Sequence, residues 1–215
     1  MSSICSVNEL LNFFLPTPCI SCEKPGSPFC LKCQARFPTS AQTSNRLGVS
    51  GFAFCEYGDL SAKIINAIKE SGQTSLIGPI AGLMAKDWPK EISNPTLIPI
   101  PSSSKNYRKR GYQHILKLTA ALEKRIPEAK SVSLLRSVGD REDQASLTPA
   151  DRLTNLQGAF SVDLRGFKPG ESPIVLVDDV ITSGATVQAA QRALEEAGVI
   201  VAGFCVFAET RPRTR

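Results

Sequence analysis

Long apolar runs are missing from this sequence. The longest, Val199 to Ala208, falls well short of the ~18–20 residues a membrane-spanning helix needs, and its place after Gly198 reads as a buried strand. The opening segment MSSICSVNELLNFFLPTPC has no basic stretch ahead of its apolar part, and Asn12 interrupts that part. It reads as a short amphipathic helix and not as a secretory signal, so a cytoplasmic protein is expected. No Gly is followed by Lys, which removes the G-x-x-x-x-G-K-[ST] phosphate loop, and G-x-G-x-x-G is absent too. There is no internal repeat and no low-complexity tract. Histidine occurs once, as His114 beside a basic run, where a surface position is expected. Aromatic residues make up 7% of the chain, with one Trp, and none of the RNA-binding signatures is present. Cysteine is present, but its seven copies are an odd count. A reducing compartment argues against a disulfide framework, so metal ligation is considered first.

What is there begins with a chain of 215 residues, 42% hydrophobic, which suffices for one good core and a small appendage. A net charge of +5 permits phosphate or nucleic-acid partners without demanding them. Four of the cysteines fall in CISCEKPGSPFCLKC as Cys19, Cys22, Cys30 and Cys33. Two C-x-x-C turns facing each other make a tetrahedral thiolate site, and Zn²⁺ suits soft ligands in that geometry. Such a closed site is structural. The alternative is four free thiols or a redox pair. Cys5, Cys55 and Cys205 lack partners at ligand spacing and read as ordinary cysteines.

Three regions follow: a four-cysteine ribbon over 1–40, a linker over 41–50 within the polar stretch 34–50, and a larger domain over 51–215. The larger domain alternates strand and helix patterns. Ile64, Ile65 and Ile68 recur at helical spacing, as do Leu76, Ile80, Leu83 and Met84, then Ile115, Leu118, Leu122 and Ile126, then Val187, Ala190, Leu194 and Ala197. Between and beyond these lie the strand patterns TLIPIP, SVSLL, IVLV and VIVAGFCVFA. The fold class is therefore α/β, a parallel sheet flanked by helices.

The segment most informative about function is IVLVDDVITSGATVQAA, Ile174 to Ala190. A buried strand delivers Asp178 and Asp179 to its carboxyl end, where open parallel sheets bind ligands. Neighbouring residues of a strand face opposite ways, so the two acids cannot do one identical job. The loop Thr182, Ser183, Gly184, Ala185, Thr186 then enters a helix. Its backbone N–H groups, hydroxyls and helix dipole favour a phosphate, and Gly184 permits close approach. Carboxylates for ribose hydroxyls and a cradle for the 5′-phosphate describe a sugar-phosphate site. A plain strand–turn–helix with solvated acids would leave two adjacent like charges unexplained.

VLVDDVITSGAT resembles the phosphoribosyl-pyrophosphate (PRPP) binding signature of type I phosphoribosyltransferases. The ribbon CISC…FCLKC, the stretch IPIPSSSKNYRKRGYQHILKL and the stretch REDQASLTPADRLTNLQGAF are similar, in order, to the ComF family of competence-related proteins. The resemblance implies a type I phosphoribosyltransferase fold with a small N-terminal zinc ribbon. It implies Asp178 and Asp179 on the ribose hydroxyls with Mg²⁺ nearby, and Thr182 to Thr186 on the 5′-phosphate. Pro101, Ser102, Ser103 and Ser104 would form the pyrophosphate loop, and Arg141 to Asn155 a mobile loop. Lys69 matches a family lysine that faces the site, although a lysine near a helix C-terminus is also ordinary capping chemistry. Where the family shows Arg-Gly-Phe-Asn-Gln, this chain has RGYQH, with Gln113 and His114 in the last two places.

Departure of pyrophosphate leaves positive charge on the ribose and negative charge on the leaving group, so cations must stand ready around the latter. Lys105, Arg108, Lys109 and Arg110 supply them. Lys109 reads as solvated, and Arg108 and Arg110 as site residues. Arg141 and Arg152 could close over the site. The expected activity is transfer of a phosphoribosyl group from PRPP to a nucleobase-like acceptor, with Asp178, Asp179, Arg110 and Arg141 central to it. A hood over residues 51 to 95 would recognise the acceptor. The alternative is a non-catalytic module that senses PRPP or a nucleotide and binds single-stranded DNA or the competence machinery. Tyr107 and Tyr112, which flank Arg108 to Gly111, are a weak sign of it.

Overall fold

The structure, a computed structural model, describes residues 17–102, 113–138, 158–170 and 172–211. A six-stranded sheet organises them. Its members are β1 (Gln42–Arg46), β2 (Val49–Glu56), β3 (Thr96–Pro99), β4 (Lys130–Ser131), β7 (Ile174–Ile181) and β8 (Gly203–Glu209), in the order β1-β2-β8-β7-β3-β4. The β1–β2 pair is antiparallel and every other pairing is parallel. A separate antiparallel pair joins β5 (Leu135–Ser137) and β6 (Phe160–Val162).

Central strands of this sheet bury both faces, which is why they read as unbroken apolar runs. Along β7, Val175 and Val177 join one apolar cluster while Ile174 and Leu176 join the other. The first cluster holds the inner sides of α2 (Asp59–Ser71), α3 (Ile77–Lys86) and α4 (His114–Glu123), through Ile64, Ile68, Ile80, Met84, Leu118 and Leu122. The second holds Val187, Ala190 and Leu194 of α5 (Ala185–Glu196). All four helices fall where the apolar spacing predicts them, and the α/β class stands. Among the described residues no helix is long and apolar enough to cross a membrane.

The four-cysteine region, with its short helix α1 (Leu31–Arg36), is part of the first cluster. Phe29 and Phe37 meet edge to face at 5.8 Å, and Phe37 stacks on Phe207 of β8, also at 5.8 Å. The ribbon is thus built into the domain's core.

The stretch read as a linker over 41–50 contains β1 and the turn into β2. QTSNR lacks a strand's apolar alternation because it lies at the sheet's edge, where only Ser44 is buried. Leu47 and Gly48 close the hairpin with φ of 51° and 81°, the left-handed pair that suits a two-residue turn. The hood expected over 51 to 95 is likewise corrected at its start, because Gly51 to Glu56 belong to the main sheet. SVSLL is divided: β4 ends at Ser131, and Leu135 begins β5.

Candidate functional site

Two connections leave the middle of the sheet in opposite directions. From β3 the chain runs through α4 to β4, outward on one side. From β7 it runs through α5 to β8, outward on the other. The helices α4 and α5 lie against different apolar clusters, hence on different faces. The boundary between β3 and β7 is therefore a topological switch point, where open α/β sheets form a crevice beyond the strands' carboxyl ends. The strand β3 ends at Pro99, opposite Val177, and Ile100 N–H makes a last bond to Val177 O at 3.0 Å. The strand β7 continues alongside β8 to Ile181, beyond the expected end at the acids. Asp178 and Asp179 thus stand just past the end of β3, with Pro101 and Ser102 following it.

The structure divides the two carboxylates. Alternation along β7 turns Asp179 to the face of α2 and α4, and Asp178 to the face of α5, whose N-terminus follows the loop Thr182 to Thr186. Asp179 is buried, and both its oxygens are engaged. Lys69 Nζ, from the last turn of α2, lies 2.7 Å from Oδ1, and His114 Nε2, from the first turn of α4, lies 2.5 Å from Oδ2. Burial alone would raise the Asp179 pKa, but the His114 hydrogen bond and the Lys69 charge prevail and lower it. Asp178 is half-buried and accepts the Asp179 backbone N–H at 2.8 Å. Burial, then the neighbouring Asp179 charge, push its carboxyl up to about 7. One acid is locked into an ion pair, and the other stays half-buried past the end of β3 with a raised proton affinity.

Lys69, expected to face the site, is engaged by Asp179. His114 is corrected from a surface position to a buried one at 4% exposure, because it is the partner that Asp179 requires. Its Nδ1 is buried without a hydrogen-bond partner among the described residues. The Gln113–His114 departure falls on the residue that holds the second acid.

The loop Thr182 to Thr186 follows β7 directly. Thr182, Ser183 and Thr186 are exposed, and Ala185 begins α5. Gly184 caps the helix at φ +87°, and a Cβ there would lie 2.3 Å from Arg46 Cβ. A left-handed φ and that contact both require glycine. Arg46, at the end of β1, was absent from the sequence expectations. Its Nε donates to Thr182 O at 3.2 Å, its Nη2 to Thr210 O at 3.0 Å, and it pairs with Glu209 at 2.5 Å. Gln188 Nε2, in the first turns of α5, donates to Leu47 O at 2.8 Å. The only sequence signal for this was the Arg-Leu-Gly turn, which becomes legible once QTSNR is seen as a strand. Ser103, Ser104, Lys105, Arg108, Lys109, Arg110, Arg141 and Arg152 lie outside the described residues, as do Tyr107, Tyr112 and Cys5.

Away from the crevice, the sulfur atoms of Cys19, Cys22, Cys30 and Cys33 all lie within 4.8 Å of one another, with Cys22 and Cys30 Sγ at 3.8 Å. A tetrahedron of thiolates about Zn²⁺, with bonds of roughly 2.3 Å, needs sulfurs about 3.8 Å apart. The backbone around Cys19 already favours a thiolate. Burial opposes ionisation, but N–H groups of Cys22, Cys30 and Ser21 outweigh it and bring the thiol down to about 6. The cluster fits a four-thiolate metal site. Cys55, by contrast, is buried in the sheet, donates to Phe207 O at 3.1 Å, and is pushed up to about 12 by burial. Cys205 is buried likewise.

Residues 116–215 match the family model described as phosphoribosyl transferase domain. The chain is also 29% identical over 103 residues to "Competence protein F" of Haemophilus influenzae. That match covers 48% of this chain and 45% of the relative, so it spans about half of each. Residues 116–215, which hold β7, the loop after it and α5, are thus similar to a phosphoribosyl transferase domain, in a chain that is similar over about half its length to a competence protein and whose four clustered cysteines fit a zinc ribbon.

Proposed function

We propose that the crevice binds PRPP and that the protein transfers its phosphoribosyl group to a nucleobase-like acceptor, releasing pyrophosphate. The observation that carries this reading is the half-buried Asp178 beside an exposed, glycine-capped loop at the switch point. Asp178 accepts from the ribose hydroxyls. Thr182, Ser183, Gly184, Ala185 and Thr186 receive the 5′-phosphate through N–H and hydroxyl donors at the start of α5. Pro101, Ser102 and Ser103 are the residues that bind the pyrophosphate. Arg108, Arg110 and Arg141 supply the positive charge that the leaving group needs. Asp179 serves from behind, as the anchor that ties α2, β7 and α4 together through Lys69 and His114.

Mg²⁺ binds most readily to one or two carboxylates plus substrate phosphates. A single accessible acid beside a phosphate loop matches that donor set, with Asp178 as the protein ligand. When bound, the ion would offset charge on the pyrophosphate. Zn²⁺ would be the ion of the four cysteines, with a structural role. A cytoplasmic location follows from the reducing conditions that four thiolates require.

Calorimetric titration with PRPP and Mg²⁺, followed by pyrophosphate release over a panel of nucleobases, tests the proposal. Binding with release for one base is expected. Absence of PRPP binding overturns the reading of the crevice. The name of the relative, a competence protein, favours a second reading, in which the domain senses PRPP and handles single-stranded DNA. That reading predicts PRPP binding without release, and DNA affinity that falls steeply with salt.

A further inference from the structure

We propose that Arg46 is a positioning residue for the phosphate loop, so that the β1–β2 hairpin sets how well the crevice holds a 5′-phosphate. The inference rests on the PRPP reading above and adds to it a residue from a segment of the chain that precedes the matched domain.

The hairpin grips the loop at three successive points. Arg46 Nε holds the carbonyl of Thr182, at the loop's entrance. The Arg46 backbone and Cβ press against Gly184 at its middle, leaving no room for a side chain there. Leu47 O receives Gln188 Nε2, one turn into α5. These partners lie more than a hundred positions apart in sequence, with Arg46 and Thr182 separated by 136 positions.

The guanidinium is committed elsewhere too. Nη1 donates to Asn45 O at 3.4 Å, Nη2 to Thr210 O, and Glu209 neutralises the charge. Glu209 is fixed in turn by Ser44 Oγ, which donates to its carboxylate at 2.5 Å. With every nitrogen engaged and the charge paired, Arg46 acts on a phosphate through the loop and not by direct contact.

The action follows from peptide geometry. In a trans peptide the C=O and the following N–H point in opposite directions. Holding Thr182 O toward Arg46 therefore aims the Ser183 N–H away from it. The N–H groups that open a helix have no intrahelical partner and are the donors a phosphate uses. Ser183 directly precedes the cap Gly184, so its N–H stands beside those donors, and fixing it before the ligand arrives removes an ordering cost from binding.

The test compares the full chain with Arg46→Lys and Glu209→Gln. Affinities are measured for PRPP with Mg²⁺, for ribose 5-phosphate, and for pyrophosphate with Mg²⁺. Lysine keeps the charge but cannot bond Thr182 O and Thr210 O together. Loss of about tenfold in affinity for PRPP and ribose 5-phosphate is expected, the worth of roughly one charge-assisted hydrogen bond. Pyrophosphate affinity stays unchanged. Glu209→Gln, which loosens the guanidinium without removing it, gives a smaller loss in the same two ligands and keeps the inference testable if Arg46→Lys fails to fold. In the ligand-free protein the amide resonances of Ser183 and Gly184 shift in both variants. Folded variants with wild-type affinity for ribose 5-phosphate overturn the inference, as does an equal loss for pyrophosphate, which marks general damage. A wild-type protein that binds neither PRPP nor ribose 5-phosphate removes the crevice reading itself, and this inference with it.

Discussion

At the scale of single residues, the two adjacent acids are an unequal pair, and each has its own signature. Asp178 takes up a proton more readily in the folded chain, with a pKa raised from 3.8 to about 7. Between those values the folded state binds more protons than the unfolded one, so this group lowers stability as pH rises through the window. Asp178→Asn is accordingly expected to stabilise the ligand-free protein at pH 8 by on the order of 2 kcal/mol, with the gain vanishing below about pH 4. If the crevice binds PRPP as proposed, the same substitution is expected to abolish that binding. Melting temperature across pH and calorimetry on one sample check both halves. Asp179 shifts the opposite way, so its contribution is present above its ordinary value and lost as pH falls below it. His114 holds that acid. His114→Ala leaves a buried carboxylate oxygen without its donor and is expected to cost about 1–3 kcal/mol. His114→Gln restores a donor and should recover most of that loss, as denaturant titration would reveal. A surface histidine would show no difference between the two.

At the scale of elements, the turn into α5 depends on one glycine. Gly184→Ala meets both a left-handed backbone, worth about 1–3 kcal/mol in strain, and the Arg46 Cβ. It is expected to weaken binding of ribose 5-phosphate more than it lowers the melting temperature, because the hairpin has to move away from the loop. Unchanged ribose 5-phosphate affinity would show that the turn tolerates the displacement. Much of this element was legible in the sequence. Four apolar residues, two acids and a small hydroxyl-rich loop can be read without coordinates, since a central strand and a helix start carry strong local patterns. The hairpin facing it was not legible. QTSNR is an edge strand with a single buried side chain, and the loop-holding partners of its Arg46 are residues far along the chain. His114 was misread for a related reason. Its neighbours in sequence are basic and polar, while its true neighbour, Asp179, is 65 positions away.

At the scale of the whole molecule, the cysteine cluster and the domain share a core. Phe29 and Phe37 link the ribbon to Phe207 on a central strand, and Cys19 and Ile20 are buried in the same cluster as the helices. Four thiolates imply about one Zn²⁺ per chain by metal analysis. Removing the ion with a chelator is expected to lower the melting temperature of the entire domain in one transition, since the ribbon's apolar side is not separable from the sheet. Two independent transitions would contradict that shared core. The sequence suggested the metal ligands from their spacing, but not this attachment. Aromatic residues spaced by a turn give no hint of which strand they will meet.

The strand order has a further consequence for how the chain is made. The β1–β2 hairpin, complete by Glu56, has its parallel neighbour in β8, which ends at Glu209. A ribosome must deliver some 150 more residues before β2 acquires the partner that covers its inner edge. Until then Phe54 and Cys55, destined for the interior, have no sheet to join. Contacts of this span slow folding and lengthen exposure of an unpaired edge. Nascent chains arrested before Gly203 should therefore be the form most prone to aggregate and most dependent on chaperones. The same late strand that joins the hairpin to the sheet also carries Glu209, so the loop between β7 and α5 receives its support only when synthesis of the sheet is finished.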